Sequence, residues 1–165
     1  MKKRSHVSLC LILAFALCVS GCSLFRRPQP PVLVEAGAHA GTVAEQVVQT
    51  AQDLIGSPYR YGGTTPRGFD CSGFVQFVFS ANDIRLPRTS GEQARVGRKI
   101  ARSDLRPGDI LVFRIGIRST HTGIYVADNT FIHSPSRGGK VRYDAMDQEY
   151  WDKRFLYGRR IPGLS

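Results

Sequence analysis

Cys71, His121 and His133 are the residues of this 165-residue chain whose types and order most directly suggest chemistry. Cys71 sits in Phe69-Asp70-Cys71-Ser72-Gly73, directly before the apolar run Phe74-Val75. A thiolate attacks carbonyl carbon, an imidazole can take up and return the proton, and a further polar group can orient the imidazole. One thiol with two histidines could also hold zinc, but that site would want a fourth ligand or a water, and this spacing matches no zinc pattern. The reading therefore needs no metal and no cofactor.

The other three cysteines belong to a different story. Lys2, Lys3 and Arg4 precede an almost unbroken apolar stretch from Val7 to Val19, which is short for a membrane span and ends at Val19-Ser20-Gly21-Cys22. Small residues before a cysteine at that place resemble a bacterial lipoprotein signal. That predicts a signal peptide over residues 1–21, which would carry away Cys10 and Cys18, and acylation of Cys22. Residues 22–41, with Arg26-Arg27-Pro28-Gln29-Pro30-Pro31, read as the lipidated N-terminus and a flexible tether, in which His39 has no evident role. Cys71 is then the only thiol left in the folding region, with no disulfide partner. Residues 42–165 have the size of one domain. Removing Lys2, Lys3 and Arg4 from a formal net charge of +10 leaves +7. In an exported lipoprotein such charge fits anionic wall or lipid headgroups rather than nucleic acid, or simply a solvated face.

Elements must bring the three residues together. Thr42-Val43-Ala44-Glu45 has capping-box spacing, and Ala44, Val47, Val48, Ala51, Leu54 and Ile55 form a helical apolar stripe that Gly56-Ser57-Pro58 ends. The segment from Tyr59 to Phe69 is rich in glycine and reads as a shaped loop. Asp70 is a helix N-cap candidate, and the helix beginning at Cys71 is apolar on nearly every side, hence central and buried. A helix start favours a thiolate and offers free N–H groups to an oxyanion.

The second half reads as strands: Ile110 to Phe113, then Thr122 to Ala127 and Thr130 to His133 as a hairpin about Asp128-Asn129. Lys140 to Tyr143 and Phe155 to Ile161 could each add an edge strand. With a short helix near Glu92, the fold class is α+β, with N-terminal helices packed on a mostly antiparallel sheet. A two-residue loop at Asp128-Asn129 with strict alternation would put His121 and His133 on opposite faces. A common site requires a longer loop, a bulge, or His121 lying before the regular strand.

Pro58-Tyr59-Arg60-Tyr61-Gly62-Gly63, Phe69-Asp70-Cys71-Ser72-Gly73-Phe74-Val75, Leu105-Arg106-Pro107-Gly108-Asp109, His121-Thr122-Gly123-Ile124-Tyr125 and Phe131-Ile132-His133-Ser134, in that order, resemble the NlpC-type peptidoglycan peptidases, papain-like cysteine enzymes of the bacterial envelope. Glu149-Tyr150-Trp151-Asp152-Lys153-Arg154-Phe155 and Gly158-Arg159-Arg160-Ile161 further resemble the lipoprotein branch of that family. Thr122 departs from the pattern, which usually has an apolar β-branched residue there, and Pro135 interrupts a stretch that is usually Ser/Thr-rich.

The resemblance implies a papain-like fold in which Cys71 attacks a peptide carbonyl to form a thioester. His121 then holds the thiolate as an ion pair and protonates the leaving amine, and His133 orients His121. It implies an oxyanion site at the Cys71 N–H and Tyr59, with Asp70 and Ser72 against the stem peptide, although Asp70 serves equally well as an N-cap alone. Its substrate is peptidoglycan, cut between D-alanine and meso-diaminopimelate in cross-links or, as the alternative, between D-glutamate and meso-diaminopimelate in stems. A non-catalytic wall-binding lipoprotein is the reading from another class. Ser23 after the lipidated cysteine points to the outer membrane facing the periplasm, and nothing marks a regulatory adaptor or a processing protease.

Overall fold

Thr42 closes a capping box with Glu45: its Oγ1 accepts the Glu45 N–H at 3.3 Å, and Glu45 Oε2 accepts the Thr42 N–H at 2.7 Å. Helix α1 (Val43–Asp53) follows, burying Val47 and Ala51. The computed structural model describes residues 41–117, 119–136 and 139–164. The expected signal peptide, Cys22 and all but the last residue of the expected tether lie outside them. No described helix is long and apolar enough to cross a membrane.

The glycine-rich segment after α1 does more than turn. It contains two paired strands, β1 (Thr64–Thr65) and β2 (Gly68–Phe69), with further bonds from Arg60 N–H to the Phe69 carbonyl and from Asp70 N–H to the Gly63 carbonyl. This ribbon lies against the start of α2 (Cys71–Ser80) so closely that a Cβ on Gly73 would come within 2.1 Å of the Gly63 carbonyl oxygen. Phe74, Val75, Val78 and Phe79 of α2 are fully buried, as its continuous apolarity requires. The short helix near Glu92 is α3 (Ser90–Gln93), started by a second capping box between Thr89 and Glu92.

One six-stranded antiparallel sheet completes the fold. Its strands are β3 (Arg98–Ile100), β4 (Ile110–Arg114), β5 (Thr120–Ala127), β6 (Thr130–His133), β7 (Arg142–Ala145) and β8 (Phe155–Arg160), with α4 (Glu149–Asp152) preceding β8. The spatial order is β3-β8-β4-β5-β6-β7. Alternation along the strands gives each face its own core. Ile110, Ile124 and Ile132 pack with α1 and α2 on one side, whereas Leu111, Phe113 and Phe131 pack with Met146 and Trp151 on the other. The α+β expectation is met.

Three local expectations need correction. The segment ending in Ile161 is not an edge strand: β8 lies between β3 and β4, because Arg98–Ile100, too short and polar to announce itself, covers its free side. The other edge strand begins at Arg142 rather than Lys140 and runs two residues past Tyr143. Finally, β5 starts at Thr120, so His121 lies within the strand. The loop is the short one, with φ of 47° at Asp128 and 60° at Asn129, the positive values a two-residue hairpin turn requires. A bulge at Val126 shifts the register, since Ala127 pairs with Thr130 but Tyr125 pairs with Phe131. That one extra residue puts His133 opposite Gly123, on the same face as His121.

The turn before β4 is fixed by a buried carboxylate. Asp109 Oδ2 accepts the Arg106 N–H at 2.9 Å, and both its oxygens accept from Arg160 at 2.9 and 2.7 Å. Asp109 is fully buried, so this bidentate pairing supplies the partners its charge needs.

Candidate active site

Cys71 is the first residue of α2, and Asp70 is its N-cap. Asp70 Oδ1 accepts the Gly73 N–H at 2.7 Å and Oδ2 accepts the Gly62 N–H at 3.0 Å, tying the helix start to the glycine-rich ribbon. Arg88 grips both carboxylate oxygens, at 3.0 and 2.6 Å, and also donates to Ser72 Oγ at 3.0 Å. Although partial burial opposes it, the Arg88 and backbone hydrogen bonds lower the pKa of Asp70. Asp70 is therefore an N-cap and an ion-pair partner at once, and Ser72 joins the same network.

The half-buried Cys71 thiol is pushed up, first by burial and also by the Asp70 charge. The nearby backbone N–H groups of Thr122, Ser72 and Cys71 itself favour the thiolate and oppose that rise. The Thr122 N–H belongs to the residue after His121, so β5 meets the start of α2 here. Buried Gln93 fixes the junction: its Nε2 donates to the Ser72 carbonyl at 2.9 Å, and its Oε1 accepts from Thr122 Oγ1 at 3.0 Å. The threonine that departs from the family pattern thus uses its hydroxyl. Tyr59 is half-buried, and burial followed by the Cys71 and Asp70 charges raises its phenol, which keeps its O–H available as a donor beside the thiol.

A chain of side chains leads away from His121. The two imidazoles meet at 2.8 Å between His121 Nε2 and His133 Nδ1, and His133 Nε2 lies 3.0 Å from Asp144 Oδ2. Asp144 also accepts from Trp151 Nε1 at 3.0 Å and from Arg142 at 3.0 and 3.1 Å. Although burial opposes it, these hydrogen bonds hold the Asp144 carboxyl well below the usual carboxylate range. An ionised Asp144 accepts only, so His133 carries its proton on Nε2 and presents a bare Nδ1 to the Nε2–H of His121. The lone pair of His121 is then left on Nδ1. The Trp151 ring stacks on His121 with centroids 5.4 Å apart and meets His133 edge to face at 4.9 Å, locking both rings.

Burial, and next the neighbouring His133, lower His121 to about 3, while His133 is lowered by burial in spite of its bond to Asp144. A raised thiol and a lowered imidazole both favour the neutral forms of Cys71 and His121 over the ion pair that the family resemblance implies. Among the described residues no hydrogen bond joins Cys71 Sγ to His121.

The structure thus places Cys71, Asp70, Ser72 and Tyr59 on the helix side, and His121 and His133 on the sheet side of one junction. Sequence reading missed Asp144, Trp151, Arg142, Arg88 and Gln93. The one usable signal was the Arg142-Tyr143-Asp144 alternation, which puts an acid and a base on one face of the strand next to His133.

Residues 56–160 match the model of the NlpC/P60 family. The chain is 40% identical to the probable endopeptidase NlpC of Escherichia coli over 92% of this chain and 98% of that protein. It is 39% identical to the E. coli murein DD-endopeptidase MepS/murein LD-carboxypeptidase over 74% of this chain and 65% of that protein. Among solved structures, an NlpC/P60 family protein from Bacillus cereus superposes with a TM-score of 0.69 at 31% identity, covering 74% of this chain and 40% of that one. The NlpC/P60 domain of the peptidoglycan hydrolase SagA gives 0.63 at 28%, covering 72% and 98%. With that match over most of the described fold, and with a thiol at a helix start facing a buried histidine chain, this protein belongs to the NlpC/P60 family as a cysteine-type endopeptidase.

Proposed function

We propose that the protein is a cell-wall hydrolase in which Cys71 is the nucleophile, His121 the general acid and base, and His133, backed by Asp144, the group that orients His121. The observation that carries this reading is the unbroken path from Asp144 through His133 to His121, which leaves one basic nitrogen on the imidazole where its strand meets the thiol's helix. Because the neutral forms of both partners are favoured, His121 Nδ1 takes the Cys71 proton as the sulfur attacks the peptide carbonyl carbon. Oxygen charge develops next to the Cys71 N–H and the Tyr59 O–H. The tetrahedral adduct then collapses: the C–N bond breaks, the proton on His121 passes to the leaving amine, and a thioester remains. Water, deprotonated by His121, attacks that thioester and frees the thiol.

Peptidoglycan is the substrate class, supported by the names of relatives and structural neighbours. Within it, the D-alanine to meso-diaminopimelate bridge is the favoured bond. The same reading places residues 42–165 as the catalytic domain, tethered through lipid on Cys22 to the outer membrane; metabolic labelling with a fatty acid, lost in Cys22→Ala, tests the anchor.

The central test compares wild type with Cys71→Ala on purified sacculi, followed by mass spectrometry of the muropeptides. Cys71→Ala is expected to lose at least about 10³-fold in rate. Wild type should convert cross-linked dimers into intact tetrapeptides. Equal release by both proteins ends the hydrolase reading, and truncated dipeptides move the cut to the stem.

A further inference from the structure

His121 is shared between the junction with Cys71 and a second feature, an open cavity of about 680 Å³ whose wall it helps to form. The cavity walls include Arg142, Asp144, Gln148, Tyr150, Trp151 and Arg154. Its charges are unevenly settled. Arg142 spends its fork on Asp144, and on the neighbouring α4 turn Glu149 holds Lys153 while Asp152 pairs with Arg102. Arg154 has no carboxylate partner among the described residues. It lies 3.9 Å from the Tyr150 ring centroid and gives one hydrogen bond, 3.0 Å, to the Tyr150 carbonyl. Its backbone carbonyl accepts the Arg114 N–H at 2.8 Å, so its base is fixed to β4. The two arginines and one carboxylate leave the wall with a net positive charge, carried by a guanidinium that is stacked in place with donors to spare.

The chemistry of cleavage says what half of a substrate would lie there. The acyl half stays on Cys71, between the Tyr59 and Asp70 groups of the helix side. The amine half departs with a proton from His121 and therefore leaves on the histidine side, where this cavity opens. We propose, resting on the hydrolase reading above, that Arg154 recognises a free carboxylate on the carbon that bears the leaving amine. In a D-alanine to meso-diaminopimelate bridge that carbon carries such a carboxylate, two bonds from the nitrogen. In the tetrapeptide stem, the equivalent carbon on the D-glutamate side carries a neutral amide. Arg154 thereby supplies a physical reason for the bridge to be the preferred bond, and makes amidation of that carboxylate a block to turnover.

The test uses the full domain with two cross-linked muropeptide dimers that differ only in whether the acceptor diaminopimelate carboxylate next to the scissile bond is free or amidated. Wild type is expected to favour the free acid by about tenfold or more in kcat/KM, the scale of one charge-assisted hydrogen bond. In Arg154→Gln the ratio should fall to about one, mainly through KM, and Arg154→Lys should keep part of it. Thermal melting checks that both variants fold. A wild type that cleaves both dimers equally, or an Arg154→Gln variant that keeps the full ratio, overturns the inference and leaves the hydrolase reading intact. Cleavage of neither dimer by wild type, or equal cleavage by wild type and Cys71→Ala, removes the hydrolase reading itself and the inference with it.

Discussion

Two aspartate–arginine pairs stand on opposite sides of the site, and they are nearly matched in burial. Side-chain exposure is 14% for Asp70 and 35% for Arg88, against 10% for Asp144 and 39% for Arg142. Both carboxylates are lowered by their partners. What separates them is the third donor. Asp70 takes backbone N–H groups from Gly62 and Gly73, so its charge is spent on holding the ribbon and starting a helix. Asp144 takes side-chain N–H groups from His133 and Trp151, so its charge fixes the tautomer of His133 and, through it, of His121. The same pair is a staple in one half and the anchor of a hydrogen-bonded imidazole chain in the other, and the groups around it decide which.

Asp144→Asn should expose that difference most strongly. The amide can donate as well as accept, which frees His133 to turn its tautomer and leaves His121 without a defined basic nitrogen. A fall in kcat of about 10² is expected, with His133→Ala falling further within the ~10²–10⁴ range of general acid–base catalysis. His133→Gln, which can still accept from His121 Nε2–H, should recover part of the loss. Steady-state kinetics on cross-linked muropeptides checks this, and an Asp144→Asn enzyme with unchanged kcat would reduce Asp144 to a second staple.

The helix half was largely legible from sequence because its contacts are local. Asp70 caps Gly73 three residues on, and the apolar run that follows has one place to go, under the sheet. The sheet half was not. Whether His121 and His133 share a face turns on one extra residue at Val126, and alternation alone points to the wrong answer. Asp144 reaches His133 only through the β6–β7 pairing, and Trp151 through a four-residue helix, neither of which has a periodicity to read. Arg88 and Gln93 act across 18 and 21 residues that include all or nearly all of α2, and no periodicity ties either of them to its start.

Asp70→Ala should give the next largest effect, and on stability. It removes an N-cap, which costs about 1 kcal/mol, and leaves Arg88 without its partner. Asp70→Asn keeps an oxygen for the Gly73 N–H and should cost less. Urea unfolding at neutral pH distinguishes them; equal losses for the two variants would show that the ion pair, and not the cap, holds the helix start.

The smallest effect is a slope with pH, and it too divides the two halves. His121 is lowered from 6.5 to about 3 in the folded protein, and His133 is lowered as well. As pH falls below 6.5 the unfolded chain takes up protons at both histidines while the native state refuses them, so folding stability must drop. The carboxylates of Asp144 and Asp70 lie below their ordinary 3.8, and their contribution, fully present above that value, is lost as pH falls further. All four groups push in the same direction but in different windows. The melting temperature should be level above about pH 7, decline from pH 6.5 to 4, and decline more steeply below 4. His121→Gln should flatten the upper window and spare the lower one, whereas Asp70→Asn should alter only the lower one. A melting temperature that stays level from pH 7 to 5 would mean that the histidines take up protons inside the folded protein, and the neutral forms of Cys71 and His121 would have to give way to a charged pair.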